Sequence, residues 1–406
     1  MTSRLLVLIG SGETSPTMVS LHQELGALAG GAPVLLVETP YGFQENADEV
    51  TDKARRYFGG NVGVRVEVPA GLRAPAEAEP GAADRAVAAV RSAGWVFAGP
   101  GSPSYAVRQW LGSPVASAFA DRLRRPGVTV FASAAACAVG RATLPVYEIY
   151  KVGSAPEWLP GLDLLGRLEI PVAVIPHFDN AEGGTHDTRY CYAGERRLVA
   201  LEAQLAPEAA VLGVDEHTAV LLDLDRETAT VRGRGGLSIR RHGEVQWWGA
   251  GSELSFAEVR AIVAGAARPT ALRPQPEPAQ EPVPDQATRT LEEVARACEE
   301  QFDAAQQARD APAMARVVLE LEAAITGWST DTLDTDAADQ ARSVLRPLAV
   351  RLGDAAQSGL ADPRDRLQPP VGPILELRTA LRERREWQAA DALRDALAAG
   401  GVEVRD

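Results

Sequence analysis

Val128-Thr129-Val130-Phe131-Ala132-Ser133-Ala134-Ala135-Ala136-Cys137 joins a β-branched run to a stretch of small, helix-prone residues, with Ser133 at the join. Val and Thr fit a pleated, buried surface, whereas Ala loses least on entering a helix. The segment therefore predicts strand, tight turn, helix. A serine on such a turn stands exposed at the end of a sheet, and small neighbours are needed because the turn crowds its own side chains. Ala134, Ala135 and Ala136 meet that requirement; Phe131 does not. Two readings of Ser133 follow. It is a nucleophile whose developing charge a helix N-terminus favours, or it is an N-cap, a position serine fills well. Cys137, one helical turn on, reads as a buried small hydrophobe.

The same alternation extends on both sides. Leu5–Ile9, Val34–Val37, Val64–Val68, Trp95–Ala98, Val172–Ile175 and Val211–Val214 read as short strands. Helical periods lie near Thr14–Leu28, Ala82–Ala93, Tyr105–Leu111 and Ala193–Leu205. Strands alternating with helices argue for an α/β fold, a mostly parallel sheet with helices on both faces. Between Ala219 and Gly249 the pattern becomes short alternating strands with Gly233, Gly235, Gly236 and Gly243 at the turns, an antiparallel extension closed by a helix over Phe256–Ala266. The stretch 268–287 holds Pro269, Pro274, Pro276, Pro278, Pro282 and Pro284 without apolar periodicity, and reads as a semi-rigid linker. It divides an α/β domain, 1–267, from a C-terminal all-α bundle, 288–406. Helices are expected there over Leu291–Ala308, Ala313–Ile325, Ala337–Leu352, Ile374–Arg385 and Trp387–Ala399.

The composition bounds the function. The chain has 406 residues, 46% hydrophobic and 24% charged, with a net charge of −14. That is enough apolar material for a sizeable core, and the negative field opposes phosphate backbones. Apolar runs fall far short of the ~20 residues of a membrane helix. Met1–Arg4 leads straight into a strand with no cleavage site behind it, so the expectation is an unexported, cytoplasmic protein. Cys137, Cys191 and Cys298 form no paired framework and match no zinc spacing.

Two further turns carry polar chemistry. In Gly99-Pro100-Gly101-Ser102-Pro103, Pro100 has no amide hydrogen, but the Gly101 N–H can approach an oxyanion closely. The segment Pro176–Arg189 begins at a strand end, where open α/β sheets place their sites. His177, at the strand terminus, suits a general base; His186 lies in a polar loop beyond it. Val214-Asp215-Glu216-His217-Thr218 ends another strand, and Glu216 or Asp215 can orient a histidine as the third member of a Ser–His–carboxylate triad. His217 is ambiguous. A metal reading from His177, Asp179, His186, Asp187, Glu216 and His217 stays open, although no ligand spacing supports it.

Taken in order, strand–Gly-rich turn, strand–Ser133-Ala134, strand–His177-Phe178 and strand–Asp215-Glu216-His217-Thr218-Ala219 resemble the cyanophycinase and aspartyl-dipeptidase serine peptidases. The likeness covers about Arg4 to Ala266. It implies a class I glutamine-amidotransferase-like fold, with Ser133 as nucleophile, His177 as base and Glu216 as its orienter. The Gly101 and Ala134 amides become the oxyanion hole. The family's Gly-Thr-Ser-Ala-Gly is here Phe131-Ala132-Ser133-Ala134-Ala135, and its arginine spacing after the His-Phe pair is altered. Asp179, Asn180, Glu182, His186 and Arg189 are then substrate-binding candidates, and a carboxylate-rich pocket suits a substrate amine. No cofactor or metal is expected.

The tail has its own resemblance. Ile374-Leu375-Glu376-Leu377-Arg378, Arg382 and Ala389–Leu397 are similar to the C-terminal end of cysteinyl-tRNA synthetase, and the preceding helices to its anticodon-side bundle. The adenylate-binding motifs and zinc cysteines of a synthetase are missing, so synthetase activity is not expected. The region from Thr288 carries 15 Arg against 22 Asp and Glu, a net of −7, which favours a solvated charged face over tRNA binding. The expectation is a serine hydrolase that cleaves an amide bond in a small peptide-like substrate. Alternatives are a non-catalytic binding module on the same fold and a hydrolase brought to tRNA by its tail. A homo-oligomer is compatible with either.

Overall fold

A computed structural model describes residues 3–181, 186–266, 290–327, 335–358 and 363–404. Strands among them, in chain order, are β1 (Arg4–Ile9), β2 (Val34–Val37), β3 (Val66–Glu67), β4 (Trp95–Ala98), β5 (Gly127–Ala132), β6 (Ala142–Thr143) and β7 (Leu159–Pro160). The later strands are β8 (Val172–Ile175), β9 (Ala210–Val214), β10 (Thr218–Asp223), β11 (Thr228–Gly233), β12 (Gly236–Arg241), β13 (Glu244–Gly249) and β14 (Glu253–Ser255). The main sheet runs β14-β11-β10-β1-β5-β4-β2-β3. Its β1, β5, β4, β2 and β3 pair in parallel, and β10, β11 and β14 extend it antiparallel.

The β1 sequence is apolar at every position from Leu5 to Ile9 because both of its faces are covered. Leu6 and Leu8 enter one core with the helices α3 (Pro80–Ser92), α4 (Pro103–Leu111) and α5 (Val115–Arg122). Leu5, Val7 and Ile9 enter the other, with Leu21 and Leu25 of α1 (Val19–Leu28). This is the expected α/β layering, with helices on both faces.

Three details differ from the sequence reading. The strands β8 and β9 pair in parallel with each other but belong to a second sheet, β13-β12-β9-β8, rather than to the main one. The helix α2 (Ala47–Arg56) escapes apolar periodicity because its buried positions are only Ala47, Thr51 and Ala54, small residues at helical spacing. The run Val64–Val68 forms a ladder only at Val66–Glu67, on the sheet edge.

From residue 290 the described elements are helices: Leu291–Gln307, Ala311–Gly327, Thr335–Ser358, Pro363–Glu383 and Trp387–Ala399. The fourth starts earlier than expected and carries Pro369, Pro370 and Pro373 inside it. Each proline lacks the N–H that a helix interior donates, and together they hide the helical periodicity before Ile374. Contacts group the chain into two compact units, residues 1–294 with 324–341 and residues 295–323 with 342–406. The expected linker at 268–287 lies outside the described residues. Among the described residues no helix is long and apolar enough to cross a membrane.

Candidate active site

Ser133 follows β5 directly, with φ 48° and ψ −120°, a conformation that residues bearing a Cβ rarely adopt. The surroundings hold it there. Its N–H donates to the Ile9 carbonyl at 3.0 Å, and its own carbonyl accepts from Ala136 at 2.9 Å. The Ala135 N–H reaches across to the Gly99 carbonyl at 3.2 Å, tying this turn to the one after β4. Phe131 does not crowd the turn, because its ring points into the core against Phe119 and Trp110. The turn thus forms without flanking glycines. The helix behind it, α6 (Ala134–Cys137), is a single turn, too short to build a long helix dipole behind the serine. Cys137 is fully buried, as expected.

His177 follows β8 and is fully buried, with φ 47°. Its Nε2 lies 3.0 Å from the Ser133 Oγ, and its Nδ1 lies 3.0 Å from the Glu216 Oε1. A carboxylate only accepts, so the Nδ1 carries the proton and donates. The Nε2 is left as an acceptor for the serine hydroxyl. Glu216 follows β9 and also accepts from the Asn180 Nδ2 at 3.1 Å. Burial pushes its carboxyl up, but the His177 and Asn180 hydrogen bonds outweigh this and leave it below the usual range.

Asp179 turns onto the same residue. Its Oδ1 accepts the Glu216 backbone N–H at 2.7 Å. Burial, then the neighbouring Asp215 and Glu216 carboxylates, push its pKa up to about 7. Asp215 is buried and accepts from the Gly236 N–H and the Trp247 indole, each at 2.9 Å. Of the two carboxylates expected to orient the histidine, Glu216 is therefore the one in contact. The ambiguous His217 points elsewhere, its Nδ1 2.9 Å from the Thr17 hydroxyl, and burial lowers its pKa.

Gly101 has φ 138°, and a Cβ there would come within 2.0 Å of the Pro40 carbonyl oxygen, so only glycine fits. Neither the Gly101 nor the Ala134 amide donates a hydrogen bond among the described residues. Ser102 caps α4 by accepting from Tyr105, and Pro103 sits at the first helical position.

The other candidates are spread out. The His186 ring stacks on Tyr150, centroids 6.2 Å apart, with its Nε2 3.4 Å from the phenol. Arg189 makes a bidentate pair with Asp187, both contacts 2.8 Å, and holds that carboxyl well below the usual range. Glu182 lies outside the described residues. Three features had no signal in the sequence. Glu148 accepts from Ser104 at 2.7 Å, Thr17 reaches His217, and Tyr190, Cys191 and Tyr192 run consecutively at positive φ. Among the described residues no three His, Cys, Asp or Glu side chains are arranged to hold a metal ion.

No family model and no curated protein matches the chain. Solved structures of similar shape include a peptidase from an acI-B1 Actinobacterium, 21% identical with a TM-score of 0.49, over 62% of this chain and 96% of that one. Another is a putative peptidase E protein from Listeria monocytogenes EGD-e, 12% identical with a TM-score of 0.41, over 57% of this chain and 98% of that one.

Proposed function

We propose that this chain is a serine hydrolase that cleaves an amide bond in a small peptide-like substrate. The observation that carries the reading is the unbroken line from the Ser133 Oγ through both nitrogens of His177 to Glu216, with each link at 3.0 Å. A strained serine at a strand end, a base within hydrogen-bond reach and a carboxylate behind it are the three parts of an activated nucleophile.

In this mechanism the Ser133 Oγ attacks the carbonyl carbon and its proton passes to the His177 Nε2. Glu216 holds the imidazole through Nδ1–H and stabilises the imidazolium. The Gly101 and Ala134 amides take the oxyanion. His177 then returns the proton to the departing amine, and water releases the acyl group by the same route. Ser133 and His177 are both 0% exposed, in contrast to the exposed serine that the turn predicts, and so lie beyond the reach of a folded protein chain.

The test is mass-spectrometric labelling of the full chain with a fluorophosphonate. Adduct is expected on Ser133 in the wild type, none in Ser133→Ala, and a strongly slowed reaction in His177→Ala. A folded wild type that gives no adduct, or one that does not depend on His177, overturns the assignment.

A further inference from the structure

Tyr190, Cys191 and Tyr192 have φ of 62°, 55° and 63°, three successive residues with side chains in the left-handed region. Each brings its Cβ against the following carbonyl, and such runs persist only where their surroundings over-determine them. Here the unusual path has a specific result. The Tyr190 N–H donates to the Phe178 carbonyl and the Cys191 N–H to the His177 carbonyl, both at 3.0 Å. Two consecutive amides are thereby aimed at the two residues that carry the base. A right-handed or extended path would turn them away.

What pins the turn is the Tyr190 ring. One neighbour is Phe178, beside the base, with centroids 4.7 Å apart. Another is the Arg240 guanidinium, 5.3 Å from the ring centre. Arg240 is itself buried and fixed, with two bonds to Glu195 at 2.6 and 2.9 Å and one to Glu202 at 2.8 Å. Both glutamates lie on α7 (Gly194–Glu202), the helix that the turn feeds. The ring thus couples the residue next to the base to a charged anchor on the following helix.

We propose that Tyr190 is a positioning residue for His177, acting through the left-handed turn; the proposal rests on the serine-hydrolase reading above. Its hydroxyl is hydrogen-bonded to Glu195 on α7, away from the base, so it is the aromatic ring, packed on Phe178, that holds the turn beside His177 and keeps the imidazole between Ser133 and Glu216. The role lies in the chemical step and not in binding.

The experiment measures fluorophosphonate labelling of full-length wild type, Tyr190→Leu and Tyr190→Phe, separating the maximal inactivation rate from the half-saturating probe concentration. Thermal melts are recorded alongside. Tyr190→Leu should lose about 100-fold in maximal rate, the scale of a ~1 Å misplacement, with half-saturation unchanged. Tyr190→Phe should label as the wild type does. If Tyr190→Leu does not fold, Tyr190→Met, which fills the space with a flexible apolar chain, is read the same way. A leucine or methionine variant that melts lower but labels at the wild-type maximal rate assigns Tyr190 a merely structural role and overturns the proposal. So does a phenylalanine variant as slow as leucine. Absence of adduct in the wild type overturns the hydrolase reading itself, and this inference with it.

Discussion

Replacing Gly101 by alanine tests the oxyanion assignment against plain fold stability. The new Cβ would lie 2.0 Å from the Pro40 oxygen, 2.2 Å from the Pro40 carbonyl carbon and 2.7 Å from the Tyr41 nitrogen. Cβ atoms essentially never approach closer than 3.0 Å, so the 101–102 backbone must withdraw by about 1 Å. That movement also strains the Ser102 N–H bond to the Pro40 carbonyl, now 2.7 Å. Loss of one oxyanion donor costs on the order of 10²–10³ in rate, about 3–4 kcal/mol. The forced φ adds roughly 1–3 kcal/mol of destabilisation. Fluorophosphonate labelling of Gly101→Ala should therefore fall by about 10²–10³, together with a lower melting temperature. Gly30→Ala is the control: φ is 66°, but nothing lies within 4 Å of the added Cβ. It should lose only about 1 kcal/mol and label normally. A folded Gly101→Ala protein that labels Ser133 at the wild-type rate would refute the assignment of this amide.

Glu216→Gln keeps the shape of the carboxylate but can present its amide N–H to the His177 Nδ1, so the wrong tautomer is favoured; labelling should fall by about 10³–10⁴ with the fold intact, as labelling rates and circular dichroism would check. For Asp179, burial and two carboxylates raise the pKa to about 7, so the folded state holds that proton more tightly than the unfolded chain. Its contribution is therefore present at low pH and lost as pH rises from about 4 through about 7. Asp179→Asn should gain in stability relative to wild type across that interval, and denaturant melts at several pH values showing no such trend would refute it. The reverse sign applies to His22, enclosed by Tyr57, Phe58, Trp95 and Phe97, whose pKa burial lowers from 6.5 to about 4. Its contribution is present above pH 6.5 and lost as pH falls towards 4, on the order of 3 kcal/mol. His22→Phe should flatten this acid limb.

The sequence carried the layer structure because the central parallel strands β1, β5, β4 and β2 are buried on both faces, and the alternation with helices leaves few arrangements. It carried the triad candidates because strand ends are where this architecture presents side chains, and Ser133, His177 and Glu216 each stand within two residues of one. What it could not carry is the direction of the chain after each end. Asp179 and Asn180 follow the base and read as pocket residues, yet in the structure both reach Glu216. The cause is the backbone of His177: at φ 47° the chain reverses, and the next residues fold back towards β9 instead of outward. Nothing in the letter H signals a positive φ, since glycine and asparagine are the usual markers. The same holds for Ser133 and for Tyr190–Tyr192, which bear side chains at conformations that local preference disfavours. Non-glycine strain is invisible to propensity because it is set by distant partners: Ile9 for Ser133, Val214 and Cys191 for the His177-Phe178 pair, Arg240 for Tyr190. Two of these strained positions, Ser133 and His177, meet at 3.0 Å, so under the proposed mechanism the places where local preference fails include the nucleophile and its base.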